Sequence, residues 1–204
     1  RFSGCWIGMK IVSDVADAAM VYNTDLELGN IIIPTEDYFG EYAELSRNIY
    51  YKDTPRDQDH RLQRVKGFAA QAFGRVNRID GPIWKSPNAK IGIITSGKSY
   101  GDVREALRWL NIDENSANDL GIGLYKVGMP WPLEPEGIRE FCEGLDQVLV
   151  VEEKRELIEH QIKWQLYNWK EAARPIVVGK QDEHGQWLLP PENDLDRKST
   201  RLNS

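Results

Sequence analysis

The sequence predicts an α/β fold, a mainly parallel sheet with flanking helices, and three observations carry that prediction. A largely β-branched run over 91–95 stops at Ser96-Gly97, and beyond it Val103, Ala106, Leu107 and Leu110 recur at the one-face spacing of a helix. Strand-like and helix-like stretches then alternate to residue 178, which implies parallel strands joined by right-handed crossovers. Composition allows a packed core: 204 residues, 41% hydrophobic and 28% charged, suffice for one substantial domain and a smaller piece.

Taken in order, residues 1–6 include no methionine and lead into Ile7, Ile11 and Val15 on one helical face. A helix is expected to about Val21, where Asn23-Thr24-Asp25 supplies a stop, and the start reads as the middle of a longer chain. Ile31, Ile32 and Ile33 predict a short buried strand that Pro34 ends, whereas 36–53 mixes acidic and aromatic residues without period. From Arg56 a helix is expected with Leu62, Val65, Ala69, Phe73 and Val76 on one stripe, and Asp57, Arg61, Arg64, Gln71 and Arg75 opposite. Gly81-Pro82 and Ser86-Pro87 read as a turn-rich connection before the α/β domain.

Within that domain, strands are expected at 121–127, 147–152 and 176–178, and helices at 136–145 and 154–169. Ile138, Phe141, Cys142 and Leu145 line one helix, and Ile158, Ile162, Leu166 and Trp169 the other. About a dozen such positions, each contributing roughly 1.5–3 kcal/mol when buried, hold the sheet against its helices. Trp187-Leu188-Leu189 reads as a short closing strand or strap. The polar end, Arg197 to Ser204, is expected to be disordered and resembles a translated sequencing-adapter tail.

Composition also narrows the function classes. A net charge of −6 with dispersed basic residues argues against nucleic acid as a partner. No apolar run is long enough for a bilayer and no signal peptide is visible, so no membrane role and a cytoplasmic location are expected. Cys5 and Cys142 stand far apart, giving neither an iron–sulfur nor a zinc framework within this chain, and Cys142 reads as a small core residue. His60, His160 and His184 are too scattered for a metal site.

Gly92, Gly97, Lys98 and Ser99 fit G-x-x-x-x-G-K-[ST], the expression for a loop that wraps nucleotide phosphates. Three of the four residues between the glycines are Ile93, Ile94 and Thr95, which favour extended backbone, so the loop proper shrinks to 96–99. Residues 148–153 imitate the acidic strand that would hold magnesium.

In an open parallel sheet ligands gather at the carboxyl ends of strands, where 95–100, 128–132 and 152–155 fall. The candidate cofactor-binding residues are therefore Ser96, Gly97, Lys98, Ser99, Lys154 and Arg155, with helix-start amides and the Lys98 and Arg155 cations facing an anion. The competing reading is turn chemistry and salt bridges at a domain interface. No nucleophile–base pair and no metal-ligand spacing stands out, so no catalytic residue and no metal ligand is assigned.

Four stretches, TSGKSYGDVREAL, LYKVGMPWPLEPEGIREF, VLVVEEKRELIEHQIK and RPIVVGKQDEHG, resemble segments of the indolepyruvate:ferredoxin oxidoreductases. These belong to the thiamine-diphosphate-dependent 2-oxoacid:ferredoxin oxidoreductases, and the resemblance runs in order from about Phe2 to Leu195. It implies that 1–85 is the C-terminal part of a pyrimidine-binding domain and its linker, 86–195 a transketolase C-terminal-like α/β domain, and 196–204 a disordered or artefactual tail. It further implies oxidative decarboxylation of an aryl 2-oxoacid to an acyl-coenzyme A, with ferredoxin taking the electrons. Thiamine diphosphate, magnesium and iron–sulfur clusters would serve that chemistry, with their ligands outside this segment. The 2-oxoacid substrate, coenzyme A, ferredoxin and other domains or subunits of the same enzyme would be its partners. The segment alone is expected to be inactive. A phosphate-loop-like nucleotide-binding protein and a non-catalytic α/β interaction module are the alternatives.

Overall fold

A computed structural model describes residues 2–11, 13–19, 21, 30–35, 47–48 and 50–191. It divides into two compact units, Arg1–Asn77 and Arg78–Ser204.

In the first unit the expected N-terminal helix is reduced to one turn, α1 (Ser13–Ala16). Ile7, Met9 and Ile11 are exposed, and a helical spacing that buries none of these three side chains among the described residues does not offset the cost of nucleation. The expected stop at 23–25 and most of 36–53 lie outside the described residues. Ile31, Ile32 and Ile33 form no strand and are exposed. What they meet instead is Asn77, whose side-chain amide accepts from Ile32 N and donates to Ile32 O, both at 2.8 Å. One amide thus stands in for a neighbouring strand.

The helix expected from Arg56 is present in three parts: α2 (Pro55–Arg61), a π-helical stretch (Leu62–Lys66) and α3 (Gly67–Val76). Thr54 and Asp57 form a capping box at its start, and Pro55 occupies the first position, where its missing N–H costs nothing. The wider π turn shifts the phase of the apolar stripe. Leu62 is left exposed while Val65, Ala69 and Ala72 are buried.

The second unit is built on a five-stranded sheet of order β1-β3-β2-β4-β5. Its strands are β1 (Gly81–Trp84), β2 (Ile91–Ser96), β3 (Ile122–Val127), β4 (Gln147–Val151) and β5 (Ile176–Val178). β2 to β5 pair in parallel, and β1 pairs antiparallel with β3. β1 occupies part of the stretch expected to be only a connection. Its Gly81-Pro82 is tolerated because an edge strand has one unpaired side, where proline's missing donor is no loss.

Helices cover both faces. α4 (Gly97–Trp109) and α5 (Glu114–Leu120) lie on one, where Val103, Leu107 and Ala117 meet Trp84, Leu124 and Val151. α6 (Pro135–Cys142) and α7 (Leu157–Leu166) lie on the other, where Ile138, Cys142, Ile158, Ile162 and Leu166 meet Ile94, Tyr125, Val148 and Val150. α5 was not expected from periodicity, yet its signature is local: Asp113 and Ser116 form a capping box, and Gly121 closes it at φ +72°. α7 is shorter than the expected 154–169, because residues 153–155 form a bend before it. Trp187 bridges to Gln181, and the amides of Leu188 and Leu189 donate to Lys180 O, so this segment is a strap rather than a full strand. The tail, 196–204, lies outside the described residues.

Candidate functional site

The three sequence clusters do come together at the carboxyl edge of the sheet. β2 leads to α4 on one face, while its neighbours β3 and β4 lead to α6 and α7 on the other. Such a reversal opens the crevice in which α/β proteins seat ligands.

The end of β2 differs from the expected loop. Ser96 is the last strand residue and Gly97, at φ +54°, already opens α4, so 96–99 are strand end and first helical turn. Gly92 is no cradle residue either. A Cβ on it would sit 2.6 Å from Leu145 and 2.8 Å from Phe141, and one on neighbouring Gly123 would sit 3.1 Å from Phe141. The two glycines open a slot across adjacent strands for the Phe141 ring, which is the physical reason the phosphate-loop expression matches without its function.

Lys98 is not an open cation: Nζ lies 3.2 Å from Asp102 and 3.7 Å from Glu153. Ser99 and Thr95 are buried, and neither hydroxyl oxygen has a hydrogen-bond partner among the described residues. Lys154, at φ +56°, and Arg155 are exposed on the bend between β4 and α7.

Buried carboxylates hold this edge together. Glu152, 5% exposed, accepts from the amides of Leu157, Ile158 and Glu159 at 2.9–3.1 Å and so caps α7. Burial pushes its carboxyl up, against the pull of those amides. Glu159 accepts from Lys163 Nζ at 2.6 Å and from Lys180 N at 2.9 Å. Lys180 Nζ donates to Glu152 O at 2.6 Å and to Pro190 O at 3.3 Å, tying the strap to β4. After β3, Asp80 Oδ1 accepts from Gly128 N at 2.7 Å and Met129 N at 2.8 Å. Glu134 caps α6 through the amides of Glu136 and Gly137. The acidic run of 148–153 is therefore helix-capping chemistry rather than a magnesium strand.

Asp80, Glu134, Glu159 and Lys180 were not singled out in the sequence. Asp80 sits before a strand that composition hides, and the others work through distant amides. A usable signal existed only at Glu134, which precedes Pro135 as a helix start.

Iron–sulfur or magnesium ligation does not fit the described residues. Among the described residues no group of three or more His, Cys, Asp or Glu side chains could hold a metal ion. Cys142 is buried in the core with its thiol pushed up to about 12, the opposite of a metal-binding thiolate. Among the described residues no helix is long and apolar enough to cross a membrane.

Over 87 residues the chain is 40% identical to the indolepyruvate oxidoreductase subunit IorA of Pyrococcus horikoshii, covering 43% of this chain and 12% of that protein. Against the same subunit of Thermococcus kodakarensis it is 36% identical over 103 residues, 50% of this chain and 14% of that protein. The matched stretch thus spans only about an eighth of the curated relatives' length. A solved structure, 2-oxoglutarate:ferredoxin oxidoreductase from Magnetococcus marinus with 2-oxoglutarate, coenzyme A and succinyl-CoA bound, aligns at TM-score 0.41 and 20% identity. That alignment covers 71% of this chain and 23% of the other. The family model of the indolepyruvate oxidoreductase domain matches residues 82–201, from β1 through the strap. The chain belongs to the indolepyruvate oxidoreductase domain family.

Proposed function

We propose that this chain is part of an enzyme that oxidatively decarboxylates aryl 2-oxoacids, indolepyruvate-like, to acyl-coenzyme A, with ferredoxin as electron acceptor. The single observation that carries the reading is the family match over 82–201, which spans all of the sheet of the second unit but Gly81. On this reading 86–195 is a transketolase C-terminal-like domain and 1–85 the end of a pyrimidine-binding domain with its linker.

Thiamine diphosphate would supply carbanion stabilisation and iron–sulfur clusters one-electron transfer. The iron–sulfur and magnesium ligands would come from the rest of the polypeptide or its partner subunits, because among the described residues no group of three or more His, Cys, Asp or Glu side chains could hold a metal ion. What this unit contributes is a rigid carboxyl edge. Ser96, Gly97 and Ser99 lie at the α4 start, and Lys154 and Arg155 are the exposed cations it offers an anionic cofactor group. Lys98, already set between Asp102 and Glu153, offers less. A cytoplasmic location goes with this reading.

The test is the reading frame on either side of this segment. An open frame carrying cysteine clusters and a thiamine-diphosphate motif is expected. A start codon just before Arg1 with a stop near Leu195 would refute the proposal. The 204-residue chain alone is expected to turn over no indolepyruvate.

A further inference from the structure

Two cations from different elements meet on one aromatic ring at the α4 side of the carboxyl edge. Leu124 faces α4 and α5, so Lys126, two residues on along β3, emerges on the same face. Its ammonium lies 4.8 Å from the centre of the Tyr100 ring, in the first turn of α4. Arg104, one turn further along α4, places its guanidinium carbon 5.7 Å from the centre of that ring and 5.5 Å from the centre of the Trp84 ring of β1. Its Nη1 donates to the Tyr100 hydroxyl at 2.8 Å.

What the patch lacks is a negative charge. Among the described residues neither Arg104 nor Lys126 forms an ion pair, and apart from the bond to Tyr100 neither side chain donates to a protein acceptor. The carboxylates nearest in the α4 sequence are held by other groups. Asp102 lies 3.2 Å from Lys98 Nζ, while Glu105 takes Arg108 at 2.8 Å and Trp109 Nε1 at 2.6 Å. With 32 acidic against 26 basic residues, the chain has no shortage of carboxylates to explain the vacancy.

Both cationic side chains are exposed, so a ligand can reach them. The guanidinium is tied at one end by the phenol and backed by buried Trp84, so much of its rotamer freedom is already lost on folding rather than on binding. Its remaining N–H groups keep the planar fork that matches an oxyanion with two parallel hydrogen bonds. Two positive charges drawn to one ring repel each other, and an anion set between them removes that repulsion. A dianion with three free oxygens answers both cations, whereas a single carboxylate carries half the charge.

We propose that Arg104 and Lys126 form a binding site for a phosphate dianion, with Tyr100 positioning the guanidinium. The site adjoins the 96–99 stretch, and it supplies there the open cations that Lys98, already paired, does not. It goes beyond the oxidoreductase reading and does not depend on it, so its failure leaves that reading intact.

The test titrates the 204-residue chain with inorganic phosphate, without magnesium and at an ionic strength held constant with sodium chloride. ¹⁵N NMR follows the Arg104 side-chain Nε–H and the Lys126 backbone amide, and saturable shifts of both are expected. Affinity should fall about tenfold or more in Arg104→Gln and in Lys126→Gln, and roughly threefold in Tyr100→Phe, which keeps both charges. Lys126→Arg should retain binding. Arg108→Gln, which removes the same charge from the same helix outside the patch, should leave it unchanged. Phenyl phosphate titrated in parallel identifies the source: tighter binding than inorganic phosphate assigns the site to a phosphate ester on a larger ligand, and equal binding to the free ion. Shifts that chloride alone reproduces, or saturable binding that survives both glutamine variants, overturn the proposal. Should a glutamine variant not fold, the unaltered chain decides, because phosphate shifts that spare Arg104 and Lys126 overturn it as well.

Discussion

At the scale of single residues, the carboxyl edge is held by side chains that satisfy backbone amides. Removing Glu152 leaves the amides of Leu157, Ile158 and Glu159 without this acceptor, the last two of them buried. Glu152→Ala should therefore cost about 1–3 kcal/mol in urea unfolding at neutral pH, and a loss under 0.5 kcal/mol would show that water replaces the cap. Gly92→Ala drives a methyl into Leu145 and Phe141 and should cost roughly 1–3 kcal/mol. Adding Phe141→Leu should recover part of that loss, and strictly additive costs in the double variant would contradict the slot. Lys98→Ala removes ion pairs that solvent reaches, so its effect on stability should stay within about 1 kcal/mol. Neither form should bind magnesium–ATP in calorimetry, and binding lost on Lys98→Ala would restore the nucleotide reading.

Among elements, legibility followed the source of each element's stability. β2, β3, β4 and β5 were readable because β-branched runs bounded by turn residues favour extended backbone whatever surrounds them. β1 was not, since Gly-Pro-Ile-Trp is a strand only through its pairing with β3 and the burial of Trp84. The isoleucines at 31–33 failed in the opposite sense, having strand propensity but no strand to pair with among the described residues. The gathering of the candidate clusters at one sheet edge was legible, and the bonds they make were not. Strand order puts 96–99 and 152–155 at one edge, and helical spacing could have paired Lys98 with Asp102, but the Lys98–Glu153 pair and the amides that occupy Glu152 follow from no spacing rule. β1 carries its own prediction. Trp84 is buried against Leu124, with the Arg104 guanidinium 5.5 Å from its ring centre. Trp84→Ala should cost about 3–5 kcal/mol and expose the β3 edge, seen as faster amide exchange at Leu124 and Lys126. Unchanged exchange there would mean β1 is dispensable to the sheet.

For the molecule as a whole, a mostly parallel sheet covered on both faces supplies a stable platform whose carboxyl edge is tied down by buried carboxylates. Family membership rests on that unit, and the matched stretch is a small part of the relatives' length. The chemistry proposed for the complete enzyme therefore depends on residues beyond this platform. The most direct measurement is ferredoxin reduction by the full-length protein, purified with any subunit that accompanies it and supplied with indolepyruvate and coenzyme A. The account predicts reduction that requires both the oxoacid and coenzyme A, and none from the 204-residue chain under the same conditions. Reduction by the isolated chain, or a full-length enzyme inert toward every aryl 2-oxoacid, would contradict it.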